Sequence, residues 1–600
     1  MYIERDTLIL LPDSIATKLK KDETQRSDEF YGKLKERFYK SRFTKELYDL
    51  LFKDTSKKPA PSAPPVKPTS KYEQFTGQVI GRLIIKKLDI FGSSINDTTK
   101  HSDKWIIKAG NKLHVYTRGR VIRNNLFFDV GDRVDPDLVV DSERILRSLP
   151  FVQDSRIYLA PNKETGKVDA IIVVKDIWSI SFDGNAGGLD TWDFSLTERN
   201  FLGLGHEVRN QFEYDRMDNP QVGYSGTYTI NSIKNTFISA DFNFVSSQDL
   251  DRTRVRVFRN FITPETKYAG GIQFMRQNEL IRRVEEEGVT EFFSEFDNQD
   301  FWFGRSYMIN RKEDVRTNLQ IAGRYSKTDF VDRPLVNEDT NQLFFNSELY
   351  LFSIGYSKRA YEKSSLILGY GRTEDIPQGA LYEITAGRDL SEFFNRTYLG
   401  ARVTHGKYFG RLGYARPAIS VGGFLRDDRL EQALVNFNFT YFSNLYRFKR
   451  VNFRQFFNVD YTHGMRRVDD EFITINDDLG VRGLSNVFLR GTKRFNFRSE
   501  TVAFTPIYFI GFRMAIFTFV DFAIVNNRRT RLFYNDLYQG YGLGFRFRNE
   551  NLAFNTIQVR LAWYPRTPAD VANFDFDVTG SASLQIPDFR VDQPGVLPFR

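Results

Sequence analysis

Apolar and polar residues alternate along most of the chain, from residue 178 to about residue 566. Stretches of strand length are separated there by Asn, Asp, Gly and charged residues, whereas helical periodicity is sparse. In the stretch 556–564, apolar side chains share one face, and Gln558 and Arg560 share the other. The apolar members are Ile557, Val559, Leu561 and Trp563. Because strands that are apolar outside and polar inside build membrane barrels, residues 178–566 predict a membrane β-barrel of about sixteen antiparallel strands.

One apolar run, residues 507–525, is long enough to cross a bilayer as a helix. It contains Arg513 and Asp521, and each charge is costly on a helix surface that faces lipid. Phe, Ile and Val dominate the run, and these residues favour strands. The sequence therefore predicts two strands joined near residues 511–514.

Upstream, residues 77–177 predict a small α/β unit in the order strand, helix, helix, strand, strand. The second helix has the clearest start, because Asp135 suits the N-cap and Pro136 suits the first helical position. The predicted elements are a strand at 79–91, helices at 111–128 and 136–149, and strands at 151–159 and 168–175. A unit of about a hundred residues can fold by itself.

The segments outside these two units have different compositions. Residues 1–58 are charged and predict an amphipathic helical segment, which either packs on a neighbour or lies on a membrane surface. Residues 59–76 contain the sequence PAPSAPPVKP and predict an extended, Pro-rich linker. Residues 567–600 form a C-terminal tail beyond the predicted barrel, and the pattern assigns no structure to it.

Composition fits two classes of protein. Aromatic residues make up 15% of the chain, including 57 Phe, while the mean hydropathy is -0.43. A soluble multidomain β protein would expose many of these aromatic side chains at a cost, so a membrane barrel is favoured. The chain starts without the basic stretch and apolar core of a signal peptide. We therefore expect a mature or truncated form of an exported protein.

Several kinds of chemistry are not expected. The chain has no Cys, which excludes disulfides, thiolate metal sites and Cys nucleophiles. Its five His are scattered, and none has a second ligand at metal spacing. We therefore expect no metal site, no cofactor and no enzymatic activity. The net charge of +9 is dispersed along the chain, so we expect no nucleic-acid partner.

Short motifs carry a resemblance to a known family. In the stretch 143–157 a helix ends at Pro150 and a strand starts at Phe151-Val152, which resembles a POTRA domain, the periplasmic module that precedes outer-membrane insertion barrels. Val481-Arg482-Gly483 followed by Gly491 is similar to a loop of the BamA-like superfamily of outer-membrane assembly and translocation barrels, which combine a POTRA domain with a surface-antigen-type β-barrel. Weaker matches in the same order are residues 198–206, Phe519-x-Asp521 and residues 541–544.

The resemblance implies a site inside the barrel. The loop would fold back into the lumen, where Arg482 would pair with the acidic side chains of Asp521 and Glu500. If Asp521 faces inward, the strand period places Phe517 and Phe519 on the inner wall as an aromatic patch. Asn200, Gly203 and Gly205 would form the turn after the first barrel strand. A lateral seam would join the first strand, at Phe182, to the strand that contains Ile557, Val559, Leu561 and Trp563.

The function implied by this family is physical rather than covalent. The chain would lie in the cell outer membrane, with its N-terminal part in the periplasm, and would insert or translocate polypeptides through the seam without ATP or cofactor. Expected partners are outer-membrane lipid, unfolded outer-membrane or secreted polypeptide clients, and periplasmic or lipoprotein accessory subunits. The alternatives are a passive porin-like solute channel, a scaffold barrel and a lipid-handling barrel.

Overall fold

The structure of the chain is a computed structural model. It describes residues 69–91, 111–112, 114–186, 190–285, 288–312, 315–367, 369–370, 372–468, 471–509, 512–526, 531–549, 551–552, 556–568, 571–581 and 586–599. The predicted helical segment 1–58 and residues 59–68 of the predicted linker lie outside the described residues. The described chain forms an α/β unit followed by a β-barrel.

The α/β unit packs helices against a three-stranded sheet. Its elements are α1 (Ser70–Glu73), β1 (Ile80–Leu88), α2 (Gly119–Arg123), α3 (Pro136–Ser148), β2 (Val152–Asn162) and β3 (Lys167–Asp176). The sheet order is β1-β3-β2, with β1 parallel and β2 antiparallel to β3. The Asp135 carboxylate accepts a hydrogen bond from Asp137 N at 3.0 Å and so caps α3 as predicted. Val139 and Leu146 of α3 are fully buried in the core.

Two predicted boundaries in this unit were wrong. The helix predicted at 111–128 is interrupted, because residues 114–118 are not helical and the Asp176 carboxylate holds Thr117 N at 2.8 Å. The predicted linker extended to residue 76, but Tyr72 is buried in the core of the unit. Its hydroxyl donates to Ile157 O at 2.8 Å. Tertiary contacts therefore override the local helical and linker signals.

The barrel is antiparallel and its strands follow one another around the ring. They are β4 (Ile180–Ala186), β5 (Thr191–Phe201), β6 (His206–Asp215), β7 (Val222–Ile230), β8 (Ser239–Ser246), β9 (Leu250–Arg259), β10 (Tyr268–Glu285), β11 (Gly288–Lys312), β12 (Val315–Asp332), β13 (Ser347–Ser364), β14 (Glu374–Ser391), β15 (Asn395–Tyr408), β16 (Tyr414–Arg426), β17 (Arg429–Phe442), β18 (Tyr446–Phe448), β19 (Val451–Met465), β22 (Lys493–Phe509), β23 (Phe512–Asn526), β24 (Tyr538–Arg548), β25 (Thr556–Trp563) and β26 (Phe574–Ser581). Two short strands, β20 (Ile473–Thr474) and β21 (Arg490–Gly491), pair with each other and do not belong to the ring. We call the end at which β4 begins the near end and the opposite end the far end.

The expectation of about sixteen strands was wrong. Among the described residues the ring holds twenty strands. This number leaves out the three-residue β18, which pairs only with the start of β19. Many connections are shorter than expected: two residues separate β10 from β11, β11 from β12, and β16 from β17. The predicted tail from residue 567 was also wrong in part, because β26 lies within it and pairs along its length with β25.

Side chains of the barrel alternate between an apolar exterior and a polar interior. On β25, Gln558 and Arg560 are buried inside, whereas Ile557, Leu561 and Trp563 are 41–47% exposed outside. Exposed large apolar side chains occur around the whole ring, including Phe303, Ile384 and Phe576. A water-soluble protein rarely exposes so much apolar surface, while a barrel in a bilayer requires it.

The apolar run 507–525 forms the end of β22 and most of β23, as the sequence predicted. Residues of the two strands pair directly, for example Arg498 with Asp521 and Val502 with Phe517. In the described part of the chain, no helix is long and apolar enough to cross a bilayer.

The α/β unit docks on the near end of the barrel through charged side chains of α3. Arg316, at the start of β12, forms a bidentate pair with Asp141, with N–O distances of 2.6 and 2.9 Å. Arg147 forms a second bidentate pair with Asp375, at the start of β14, at 2.8 and 2.7 Å. Asp141, Arg316 and Arg147 are all buried. Planar guanidinium–carboxylate pairs of this kind fix orientation as well as contact.

Glu143 lies at the centre of the docking surface. Its carboxylate receives the Lys363 ammonium at 2.6 Å and the Arg147 guanidinium at 2.6 Å, together with Ile157 N at 3.0 Å. Burial by itself would raise the pKa of Glu143, but Lys363, Arg147 and Lys71 hold it well below its usual range. Glu143 is therefore ionised in the docked unit and links helix α3 to strand β13.

Replacing Asp141 with Asn should loosen the docking, because it removes the bidentate charge partner of the buried Arg316 guanidinium. Breaking one side of a buried ion pair costs about 3–5 kcal/mol. Trypsin should then cleave residues 69–176 faster in the detergent-solubilised protein. The matched control is Asp169→Asn, whose partner Arg82 is largely exposed and lies within the same unit. Equal cleavage rates for the two variants would contradict the docking role of Asp141.

Docking should also survive mild acid. Because the folded pKa of Glu143 is lowered, the stability that Glu143 contributes is fully present above its unfolded pKa of about 4.3. It is lost only as the pH falls through the folded value. The same cleavage assay, with each rate divided by the rate for an unstructured substrate at the same pH, should therefore give equal relative rates for the wild type at pH 7 and pH 5. A rise in cleavage between these values would show that another carboxylate controls docking.

Candidate functional site: a loop held inside the barrel

The loop between β19 and β22, residues 466–492, folds into the lumen, and we call it the lumen loop. The short strands β20 and β21 form its stem. Above the stem, Asn476 and Asn486 exchange two hydrogen bonds of 3.1 Å between side chain and backbone. Val481 and Leu484 are fully buried in a cluster with wall residues of the barrel. The loop is therefore a folded element with an apolar underside.

Arg482 attaches the lumen loop to the barrel wall. Its Nε and Nη2 donate to the two carboxylate oxygens of Asp521 on β23, at 2.8 and 2.7 Å. Its Nη1 donates to Glu500 on β22 at 2.6 Å, and its backbone N donates to Asp521 at 3.2 Å. Asp521 is completely buried and Arg482 is 9% exposed. One guanidinium thus bridges two strands, a task for which lysine has neither the fork nor the reach.

Glu500 also forms an ion pair with a second arginine. Arg546 on β24 donates to both Glu500 oxygens, at 2.5 and 2.9 Å. Two guanidinium groups therefore face two carboxylates, and the buried cluster is formally neutral. Neutrality matters because an unbalanced charge in a dry interior is strongly destabilising.

Phe517 and Phe519 form the floor under this charge cluster. Both face inward and are at most 2% exposed, and their rings lie 6.2 Å apart. The guanidinium carbon of Arg482 lies 4.2 Å from the Phe519 ring centre, and that of Arg546 lies 4.1 Å from the Phe517 ring centre. Such cation–π contacts add about 0.5–2 kcal/mol each, more where water is excluded.

Glycines on β24 make room for these rings. Gly542 lies opposite Phe519, and Gly544 lies opposite Phe517, in the β23–β24 register. A Cβ on Gly544 would lie 2.7 Å from the Phe517 ring, and a Cβ on Gly542 would overlap the Phe519 ring. The stretch 541–544 that resembles the family is therefore needed here for close packing.

The two glycines of the loop motif serve different purposes. Gly483 has a φ of +78°, and a Cβ there would lie 2.5 Å from an Asp575 carboxylate oxygen and 2.8 Å from Arg560 Nη2. The Tyr564 hydroxyl, beside it, donates to the Arg482 carbonyl at 2.8 Å. Gly491 lies in the stem, where a Cβ would overlap the Asn526 backbone. Both positions need a residue without a side chain.

Sequence reasoning missed several residues that hold the loop. Arg498 on β22 donates to Gly480 O at 3.0 Å and to Asp477 O at 2.9 Å, and Arg494 donates to Thr474 O at 2.8 Å. The strand period contained this information, since Arg494 and Arg498 alternate on β22 with the same parity as Glu500. Arg546 shares the parity of Gly542 and Gly544 in the same way.

Asn200, Gly203 and Gly205 lie at the near-end turn between β5 and β6, where the barrel meets the α/β unit. Asn200 donates to Thr117 Oγ1 at 2.9 Å and accepts from Gly205 N at 2.8 Å. Gly203 has a φ of +71° and its carbonyl accepts from Arg118 N at 2.9 Å. This turn is therefore a docking contact for the α/β unit and lies away from Arg482.

The predicted seam was wrong in one strand. Phe182 lies on β4, the first strand of the ring. Its side chain faces outward and is 53% exposed. Ile557, Val559, Leu561 and Trp563 lie on β25, which pairs with β24 and β26 and not with β4. The strand order brings β26 next to β4. The ring therefore closes between β4 and β26, its first and last strands.

The wall next to the lumen loop, from β11 to β19, is also covered. Residues 586–599, which we call the lumen strap, run from the near end at Asp588 to the far end at Phe599. Asp588 accepts from the Tyr361 hydroxyl on β13, whereas the Phe599 ring stacks on Arg467 in the lumen loop. The lumen is thus occupied from two sides.

Among the residues that the structure describes, no cluster of His, Asp and Glu side chains is arranged to hold a metal ion. The charged groups of the site neutralise one another, and its contacts are those of a mechanical anchor. No known protein family matches the chain. No curated protein matches it either.

Three solved structures show a similar arrangement. The chain is similar to BamA from Haemophilus ducreyi lacking POTRA domains 1-3, with 13% identity, 83% of each chain covered and a TM-score of 0.32. It is similar to CdiB from Escherichia coli, with 10% identity, 83% and 75% covered and a TM-score of 0.40. It is similar to CdiB from Acinetobacter baumannii, with 11% identity, 95% and 98% covered and a TM-score of 0.38. At such values the likeness carries no functional argument, and function has to be inferred from this chain's own residues.

Replacing Arg482 with Lys should release the lumen loop. A lysine cannot serve Asp521 and Glu500 together, and losing a charge-assisted hydrogen bond costs about 1.5–3 kcal/mol. Amide hydrogen exchange in residues 473–491 should become about tenfold faster or more. The control is Arg466→Lys in the same loop, because the Arg466 side chain reaches only the Leu430 carbonyl, at 3.3 Å. Unchanged exchange in Arg482→Lys would show that the apolar underside alone holds the loop.

Replacing Gly483 with Ala should lower the melting temperature through crowding as well as backbone strain. The control is Gly410→Ala, which has a φ of +51° but nothing within 4 Å of the added Cβ. Both variants carry the strain of a positive φ, roughly 1 kcal/mol. Only Gly483→Ala also pushes against Tyr564, Arg560 and Asp575. The same loss of melting temperature in both variants would exclude a packing role for Gly483.

Proposed function

We propose that the chain is an outer-membrane barrel of the BamA-like superfamily that inserts or translocates polypeptides without ATP or cofactor. Its α/β unit would act as a POTRA-like domain on the periplasmic side. Its partners would be outer-membrane lipid, unfolded outer-membrane or secreted polypeptides, and periplasmic or lipoprotein accessory subunits.

The observation that carries this proposal is the anchoring of the lumen loop by Arg482. The pairing of Arg482 with Asp521 and Glu500 is the arrangement that the family resemblance implies for such barrels. It is supported by the α/β unit docked on the near end, which a simple pore has no need of. A folded loop held by one removable cluster can keep a barrel closed at rest and shift when a client binds.

The occupied lumen favours this function over a passive porin-like channel. The lumen loop covers the wall formed by β22 to β25, and the lumen strap covers the adjoining wall of β11 to β19. A solute channel gains nothing from having this much of its lumen wall covered by its own chain. No contact in the described residues favours a pure scaffold or a lipid-handling barrel over polypeptide transport.

The proposed route for clients is the junction of β4 and β26. Exposed strand edges pair readily with incoming extended chains, and β-augmentation uses that property. Because β4 and β26 are the first and last strands of the ring, no hairpin loop joins them, and their separation leaves every hairpin intact. Phe574, Phe576 and Val578 face outward on β26, as Phe182 does on β4.

Locking this junction should block transport. The chain has no Cys, so pairs that combine Phe182→Cys with Phe574→Cys, Phe576→Cys or Val578→Cys report only on the junction. In cells that depend on the protein, oxidation of the pair that crosslinks should reduce outer-membrane protein assembly or secretion. Reduction of the disulfide should restore it. The measurement is the amount of assembled or secreted protein before and after reduction.

The control is the pair Leu561→Cys and Phe576→Cys, which lie opposite each other within the β25–β26 hairpin. Its disulfide leaves the junction free, so transport should continue. If the β4–β26 crosslink forms and transport also continues, a gating seam is ruled out. A channel or scaffold would then be the better assignment.

A further inference from the structure

The lumen strap is bound to the barrel mainly through its backbone. Val591 N donates to Gln320 Oε1 at 2.9 Å, and the Pro594 carbonyl accepts from Arg324 at 3.0 Å. Leu597 N donates to the Tyr398 hydroxyl at 3.0 Å, and the Phe589 carbonyl accepts from Ser357 Oγ. The wall side chains come from β12, β13 and β15. Contacts to backbone groups hold an extended chain without reading its sequence.

Glycines on the same wall form hollows for the side chains of the strap. A Cβ on Gly355 would overlap Val591, and a Cβ on Gly406 would lie 2.5 Å from the Phe589 ring. Further up, Cβ atoms on Gly422 and Gly464 would lie 3.2 Å from Leu597 and 2.5 Å from Phe599. Phe589 and Val591 are fully buried. The hollows follow the strap from one end of the lumen to the other, so the wall is a continuous track.

One charged contact favours an acidic residue at one position in the track. The Asp588 carboxylate accepts from the Tyr361 hydroxyl at 2.7 Å and from Arg359 Nη1 at 3.5 Å. Arg359 is 1% exposed, and its Nε and Nη2 have no hydrogen-bond partner among the described residues. A buried guanidinium with unused donors favours a closer carboxylate. The strap is therefore an incomplete ligand for Arg359.

From these contacts we infer that the track is a binding site for an extended segment of client polypeptide, and that the lumen strap occupies it until a client displaces it. The preferred client segment carries an acidic residue followed by an aromatic and then an aliphatic residue, as in Asp588-Phe589-Arg590-Val591. Its carboxylate meets Arg359 and Tyr361, and its apolar side chains enter the hollows at Gly406 and Gly355. This inference rests on the proposed function for the identity of the occupant.

A purely structural strap is the competing explanation. Among the described residues, Arg316 in the contact between α3 and the barrel also has a nitrogen without a hydrogen-bond partner, so unused donors occur at structural contacts too. A permanent strap would also need backbone partners, because buried N–H and C=O groups have to be paired. The two explanations differ in whether a peptide added from outside can take the place of the strap.

The test uses a fluorescent synthetic peptide with the sequence of residues 586–599. The full chain and a variant that ends after residue 585 are purified in detergent, and peptide binding is followed by fluorescence anisotropy. The truncated variant should bind the peptide saturably, and the full chain should bind it at least about tenfold more weakly because the strap competes. A peptide with Asn in place of Asp588 should bind the truncated variant about tenfold more weakly, because it loses a charged contact. A scrambled peptide is the control.

A second variant keeps the test valid if truncation prevents folding. Gly355→Val fills the hollow of Val591 and should dislodge the strap while the chain stays complete. The control Gly323→Val changes the neighbouring strand at a position where a Cβ meets only Leu351 O, at 3.9 Å. A cysteine at Val591 should react with a soluble maleimide faster in Gly355→Val than in Gly323→Val. Equal labelling in both, or no peptide binding by a folded truncated variant, would overturn the inference.

Peptide binding and labelling require no transport, so they separate this inference from the proposed function. If the track binds the peptide but locking of the β4–β26 junction leaves transport unchanged, the track stands and the seam is wrong. If the junction gates transport but the track binds no peptide, the strap is structural and the proposed function stands.

Discussion

The bidentate pair between Arg482 and Asp521 is the interaction on which the interior of the barrel depends. Both groups are withdrawn from water, and each is tolerable there only because the other is present. Glu500 and Arg546 extend the pair into a neutral cluster over Phe517 and Phe519. The position of the lumen loop follows from it, since Arg482 enters the lumen where its buried charge is matched.

The space inside the barrel is divided among three elements of the same chain. The lumen loop takes the wall of β22 to β25, the lumen strap takes the wall of β11 to β19, and helix α3 crosses the near end at β11 to β14. Each is fixed by arginine or lysine side chains that meet carboxylates or backbone carbonyls. Ionic contacts of this kind have a defined geometry, so an element that leaves its site can rebind in one position only. A barrel closed by such contacts is suited to switching between two arrangements.

Much of this arrangement was predictable from the order of the residues. The period of two along the strands puts Phe517, Phe519 and Asp521 on one face of β23, and all three are buried. The Asp135-Pro136 pair correctly marked the start of α3. The number of strands was not predictable from the average strand length, because β10 and β11 are joined by two residues where a long loop was expected. Local patterns also could not reveal the docking of α3, which depends on Arg316 and Asp375 far along the chain.

The strap shows why the end of the chain was the hardest part to predict. Apolar side chains do not recur at a regular spacing in residues 586–599. The side chains that these residues contact lie on several strands, and not on one face of a neighbouring element. Their burial follows from glycines at Gly355, Gly406 and Gly464, whose purpose is visible only once the ring has closed. Arg546 was missed for a similar reason, because its partner Glu500 lies two strands away.

The most direct test of the account is the ion conductance of single barrels in a planar bilayer. The wild type should stay near the baseline, with only brief openings, because the lumen loop and the lumen strap together cover the inner wall from β11 to β25. A variant that combines Arg482→Met with removal of residues 586–600 should conduct steadily, and each change alone should give intermediate openings. A wild type that conducts as steadily as the combined variant would contradict a lumen closed from within.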